Sequence, residues 1–423
     1  MLHLPTLILQ IGVIVIAARV VGWAFRKVYQ PQVMGEMVAG ILLGPSLLGW
    51  TAPGVSAALF PADSLGFLNA LSQIGLLLFM FLVGLELQPQ LLRDRGNTAI
   101  VTSCASILAP FLLGSLLALY LHPRLSDPSV SITNFALFMG VAMSVTALPV
   151  LARILAERKL LQTKVGTLAI ACAAVNDVTG WCLFGAVIVL VRSTNGLIPI
   201  WLTLGGTVAY VALMLFLVRR LFMPQIQQFA ERRGGITHGT LGIVLVLLFA
   251  SAWVTEFLGI HAIFGAFLIG AIMPKAPSFV QALTEKLHDL TVVLLLPIFF
   301  AYTGLRTSIG LVSGGEMWLY CGMVTAVAIV GKLVGSAVAA RWSGLGPRQS
   351  WTIGILMNTR GLMELVLLNV GLEIGVISPT LFTMMVLMAL VTTFMTAPLL
   401  EWVYFQQFSP SAWLRSKITA VAG

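Results

Sequence analysis

The 423-residue chain is 59% hydrophobic and only 9% charged, with a formal net charge of +9. A soluble domain carries about a quarter of its residues as charges, so composition excludes a globular enzyme and marks an all-α polytopic membrane protein. Four cysteines and five histidines show no metal-ligand or disulfide spacing, so no cofactor is expected. The basic excess is read as a topology signal and not as a nucleic-acid footprint.

Apolar runs of about 20 residues mark the spans. In chain order they fall near 4–25, 33–50, 66–88, 97–121, 132–155, 165–191, 197–219, 236–257, 260–274, 289–306, 316–341, 349–372 and 378–405. That makes about 13 transmembrane helices. The first run, from Leu4, is long enough to be a span and not a cleaved leader. Residues 406–423 form a short tail, and no soluble regulatory domain is expected after it.

The loops carry the orientation. Alternate loops and the tail hold eighteen of the 24 Lys and Arg, including Arg26, Arg93, Arg158, Arg219, Arg341 and Lys417. The opposite loops hold three, Arg124, Arg192 and Arg306. By the positive-inside rule the N-terminus is outside and the C-terminus cytoplasmic, as for a bacterial inner-membrane protein.

Two spans are interrupted. The fifth contains Ser144-Val145-Thr146-Ala147-Leu148-Pro149. Pro149 lacks a donor and clashes with the carbonyl four residues back, so the turn around Ser144–Thr146 opens. The twelfth contains Asn358-Thr359-Arg360-Gly361, a poor helix centre. They hold matching positions in spans 1–6 and 8–13, the pattern of two inverted six-helix repeats with two discontinuous helices around an ion site.

Asp177 lies mid-span in the sixth run, beside Asn176. An ionised Asp at a helix centre costs about 2.5–3.5 kcal/mol, so such residues face a cavity and move ions or protons. Asn176, Ser144, Thr146 and freed carbonyls supply the hard oxygens a monovalent cation requires. Lys332 is equally deep and needs an acidic partner; Asp177 is the expected one. Arg360 and Glu364 are four apart and can neutralise each other on one face. Arg360 can also cap a half-helix end. Glu86 reads as interfacial, His261 as packing or interfacial, and Glu36, which opens the short second span, as a contributor to a funnel.

The motifs Gly35-Glu36-Met37-Val38-Ala39-Gly40, Phe81-Leu82-Val83-Gly84-Leu85-Glu86, Ala174-Val175-Asn176-Asp177 and Asn358-Thr359-Arg360-Gly361-Leu362-Met363-Glu364 run almost end to end. Together they resemble the second branch of the monovalent cation:proton antiporter superfamily, which holds bacterial potassium-efflux antiporters and plant cation/proton exchangers. The resemblance implies a homodimer with an interface part (about 1–90 and 236–306), an ion-binding core (about 97–191 and 316–405) with the broken helices crossing, and a linker helix (about 197–219). It assigns ion and proton binding to Asp177, with Asn176 and Thr146 beside it, and pairs Lys332 with the aspartate. Asn at 176, where some relatives have a second aspartate, implies electroneutral exchange. Potassium is the leading cargo and sodium the alternative. A sodium-coupled organic-anion symporter on a related fold is a further alternative. A channel ranks lower, because no repeated filter loop or acidic ring is seen.

Overall fold

The computed structural model describes residues 4–28, 30–86, 97–161, 163–194, 200–232, 235–259 and 261–405. The predicted basic loop at Arg93 and Arg95, Arg233, and the tail with Arg415 and Lys417 lie outside them. Among the described residues all regular structure is helical. That follows from the solvent: in hydrocarbon a backbone must satisfy its own polar groups, and a helix does so within one segment.

Among the described residues eleven helices are long and apolar enough to cross a membrane, or twelve if one bent pair counts as a single span. The chain is an integral membrane protein. The bent pair is the predicted twelfth span, Pro347–Met357 and Leu362–Glu373, angled by 43°. The predicted ninth span is the short apolar helix Ala262–Ile272. Two boundaries move outward. The tenth helical stretch runs over Pro277–Leu311, starting well before residue 289. Its first turns carry Glu285, Lys286, His288 and Asp289, an amphipathic start that an apolar-run count cuts off. The seventh runs on through Phe229 for the same reason.

The chain divides into two compact units. The first comprises residues 1–23, 35–90 and 181–311. Its helices approach closely through glycines, as membrane helices do without a hydrophobic drive between them. A Cβ on Gly40 or Gly304 would strike the backbone of the facing helix, at Phe300 and Gly40 respectively. Gly84 and Gly270 press in the same way on Phe267 and Phe81. Ile14, Leu68, Ile298 and Ala301 form an apolar core here. Glu36 is buried, 3.7 Å from Arg19. Glu86 ends its helix exposed. His261, held at φ 97°, caps Ala262–Ile272 by accepting from the Ile263 amide at 3.5 Å.

The second unit comprises 24–34, 91–180 and 312–423. Its principal helices are α1 (Asn97–Leu125), α2 (Ile132–Ser144), α3 (Leu148–Glu157), α4 (Lys164–Thr194, of which the part up to Gly180 lies in this unit), α5 (Gly314–Trp342), α6 (Pro347–Met357), α7 (Leu362–Glu373) and α8 (Pro379–Phe394). Leu151, Leu155, Ala169, Ile353 and Leu356 are fully buried in its core. Gly331 of α5 lets that helix touch Pro110 of α1, and Gly354 of α6 lies against the Leu333 backbone. These contacts hold α1, α5 and α6 close enough for polar side chains to meet between them.

Candidate functional site

The two interruptions meet. Residues 145–147 separate α2 from α3, and residues 358–361 separate α6 from α7. Val145 is extended at φ −72°, ψ 142°, and Pro149 falls in the first turn of α3, where its missing N–H costs nothing. The Ala147 amide donates to the Thr359 carbonyl at 3.0 Å, and Thr146 Oγ1 to the Met357 carbonyl at 3.2 Å. Gly361 has no room for a side chain, since a Cβ would sit 2.7 Å from Val150. Each break thus supplies hydrogen-bond partners to the other.

Lys332 sits in a π-helical turn, Val330–Val334, within α5, and is fully buried. Such bulges recur at functional sites. Its ammonium donates to the Ser106 carbonyl at 2.8 Å and to the Ser144 carbonyl at the end of α2. Asn176, also fully buried, faces the same ammonium. An amide nitrogen there would oppose a donor with a donor. With the amide oriented the other way, Oδ1 accepts from Lys332 Nζ at 3.3 Å and Nδ2 donates to the Ser103 carbonyl at 3.3 Å. Thr146 Oγ1 is 3.2 Å from that Oδ1. The lysine is thereby held by three oxygens. In place of the expected direct contact with Asp177, the ammonium is taken by the Ser144 carbonyl freed at the end of α2, the Ser106 carbonyl of α1 and the Asn176 amide oxygen.

Asp177 follows on α4 and is 3% exposed. Both carboxylate oxygens are enclosed, and no side chain among the described residues donates to either. The Leu148 amide, which opens α3, is directed at the carboxylate as a backbone donor, and the Lys332 ammonium acts on it electrostatically. A half-helix N-terminus directed at a carboxylate is favourable, but it leaves most of the acceptor capacity of the two oxygens unused. Ser144 contributes its carbonyl to Lys332, while its hydroxyl turns back to the Val141 carbonyl at 2.8 Å.

Arg360 and Glu364 pair at 2.8 Å with both side chains buried. The remaining guanidinium donors cap the end of α2: Nη1 reaches the Ala142 carbonyl at 3.0 Å and Nη2 the Met143 carbonyl at 2.7 Å. Thr393 on α8 fixes the Arg360 backbone from both sides, accepting from its amide and donating to its carbonyl at 2.8 Å. From its place in the sequence Arg360 is expected to cap the half-helix whose carbonyl end it adjoins, α6; its guanidinium caps α2 of the other broken span instead.

All seven predicted site residues fall in one buried cluster of the second unit. Ser103 and Ser106 of α1 join them and were not anticipated. Their signal was the run Thr102-Ser103-Cys104-Ala105-Ser106 inside an otherwise apolar span.

Known proteins with this architecture give it a family. The sodium/hydrogen exchanger transmembrane family matches residues 14–402, and the chain belongs to it. The chain is 45% identical over 398 residues to the Na(+)/H(+) antiporter NhaS4 of Synechocystis sp., covering 93% of this chain and 96% of that protein. It is 42% identical to cation/H(+) antiporter 17 of Arabidopsis thaliana and 32% identical to K(+)/H(+) antiporter 1 of Saccharomyces cerevisiae. In both cases 95% of this chain is covered, but the chain spans only about half of those relatives, 48% and 46%. Among solved structures, the sodium proton antiporter MjNhaP1 of Methanocaldococcus jannaschii superposes with a TM-score of 0.65 at 15% identity, over 94% of this chain and 96% of that one. That likeness concerns the fold.

Proposed function

We propose that this chain exchanges a monovalent cation for a proton across the membrane, with Asp177 binding either one by turns. The observation that carries the reading is the Asp177 carboxylate, buried with no side-chain donor to either oxygen among the described residues. A buried charge of this kind is costly unless a proton or cation joins it. Thr146, Asn176 and the opened backbone at residues 145–147 offer the further oxygens of a cation shell.

Three oxygens hold Lys332, so in this reading the lysine carries the same charge in both loaded forms; a lysine that gave up its proton would add a second one to the exchange. The cation-loaded and proton-loaded forms then carry the same charge, and one leg of each moves none. Exchange is therefore electroneutral and one for one. Transport proceeds by alternating access in a homodimer, with the core parts around 97–191 and 316–405 moving and the parts around 1–90 and 236–306 forming the interface. The segment around 197–219 links them. The basic loops place the N-terminus outside and the C-terminus in the cytoplasm of a bacterial cell.

Potassium leads as cargo through the resemblance to potassium-efflux antiporters and the yeast K(+)/H(+) relative. Sodium is the second reading, favoured by the name of the cyanobacterial relative at 45% identity. The test uses proteoliposomes with an imposed pH gradient and a trapped pH dye, adding K+ or Na+ to wild type and to Asp177→Asn. Cation-driven proton movement lost in the variant supports the reading, and the two half-saturation values name the cargo. Movement that survives in Asp177→Asn refutes it. Flux that requires an organic anion instead moves the symporter to first place.

A further inference from the structure

A cavity of about 270 Å³ opens on the second unit where α5 ends and α6 begins, far in sequence from Asp177. Ala337, Val338, Arg341, Trp342, Ser350 and Trp351 line it. Trp342 is 84% exposed and Trp351 is 46% exposed. Two exposed tryptophans at a helix end belong to the interfacial belt, where an apolar ring meets headgroups. Arg341 donates to the Leu345 carbonyl at 2.8 Å through Nη1, and its other nitrogens make no hydrogen bond to the described residues. Ser350 is 2% exposed, and its hydroxyl is held on the Gly346 carbonyl at 3.0 Å.

A second feature runs from this cavity along α5. Val330, Val334, Val338 and Trp342 recur every four residues and so share one face. Val330 and Val338 are exposed, and Val334 is half-buried. Twelve residues of helix measure about 18 Å, close to one leaflet of a hydrocarbon core about 30 Å thick. A single acyl chain matches that stripe in length and chemistry. A soluble anion would use the arginine but not the stripe.

We infer that this groove binds an anionic phospholipid, its phosphate on Arg341 and one acyl chain along the Val330–Trp342 face. Basic pockets between transmembrane helices suit anionic headgroups. The site lies nine residues along α5 from Lys332, so its occupant touches the helix that carries the lysine.

The experiment reconstitutes the full chain in phosphatidylcholine bilayers with rising fractions of brominated phosphatidylglycerol or brominated phosphatidylcholine. The quenching difference between wild type and Trp342→Phe/Trp351→Phe isolates the two tryptophans. Brominated phosphatidylglycerol should quench that difference at an about fivefold lower mole fraction, the preference one arginine near the surface confers. Arg341→Gln should remove the preference and Arg341→Lys should keep it. Val338→Asn, which leaves the arginine in place, should weaken quenching by both lipids alike. Equal quenching by both lipids in wild type, or a preference that persists in Arg341→Gln, overturns the inference. So does inorganic phosphate erasing the preference at matched ionic strength, which would assign the site to a soluble anion.

Discussion

Removing Arg360 tests whether the second break is held by its guanidinium. Three partners lose their donor at once: Glu364, Ala142 and Met143. Breaking a buried ion pair by deleting one member costs about 3–5 kcal/mol, mostly for the charge left behind. Each buried carbonyl left without a donor costs about 1–3 kcal/mol. Arg360→Met therefore bears both terms. In Arg360→Met/Glu364→Met no buried charge is stranded, so the first term of about 3–5 kcal/mol should return. The deficit of the two carbonyls, about 2–6 kcal/mol together, should remain. Thermal unfolding midpoints of the purified variants in one detergent should rank wild type first, the double variant second and Arg360→Met last. Arg360→Lys should fall between wild type and Arg360→Met, because an ammonium keeps a positive charge opposite Glu364 but lacks the planar fork that reaches the Ala142 and Met143 carbonyls together. A double variant no more stable than Arg360→Met would refute the reasoning, since Glu364 would then not be the stranded charge.

Two more expectations concern other charges. Asn176→Asp places a carboxylate opposite Lys332 Nζ, where Oδ1 now stands at 3.3 Å; exchange should become electrogenic, seen as stimulation of dye-reported flux by valinomycin with K+, and unaltered voltage dependence would count against one-for-one exchange set by Asn176. Lys275, between spans, donates to the Gly84, Leu85 and Gly270 carbonyls, and burial together with the nearby Arg219 charge holds its pKa down to about 8. Its folded pKa lies below the unfolded value, so the unfolded chain binds more protons between about pH 8 and 10.5 and this group's contribution to stability rises with pH across that window. The unfolding midpoint measured from pH 8 to 10 should thus show a more negative slope in Lys275→Met than in wild type, and identical slopes would remove Lys275 from the account.

The parts of this site legible in the sequence were those that violate a local rule. Pro149 cannot continue a helix, Asn358-Thr359-Arg360-Gly361 is a weak helix centre, and Asp177 is a charge in the wrong solvent. Each announces itself without knowledge of a neighbour. The identity of the partners was not legible, because it depends on contacts between helices. Charge and the family resemblance both match Lys332 to Asp177. The carbonyls that hold it belong to Ser106 and Ser144, 226 and 188 residues away. The Ser144 carbonyl is free only because α2 stops, which no residue type announces, whereas that of Ser106 is free because Pro110, four residues on in α1, has no N–H to give it. The π-turn that carries Lys332 is equally silent in the sequence. Span edges were misjudged where charge enters early, as in Pro277–Leu290, because an apolar count ends there while backbone hydrogen bonding does not.

The separation of Lys332 from Asp177 has one electrostatic cause. Breaking the fifth span creates two opposite helix ends a few residues apart. The C-terminal end of α2 exposes carbonyls and attracts cations; the N-terminal end of α3 exposes amides and attracts anions. Arg360 takes the carbonyls of Ala142 and Met143, and Lys332 takes that of Ser144. Two cations thus serve three consecutive carbonyls of one end. Asp177 lies by the other end, at Leu148. A direct lysine–aspartate pair would strip the Ser144 carbonyl of its donor and leave the α3 amide without its anion. The break therefore sorts the charges by sign, and what it leaves over is a carboxylate whose two oxygens are open to a proton or a cation.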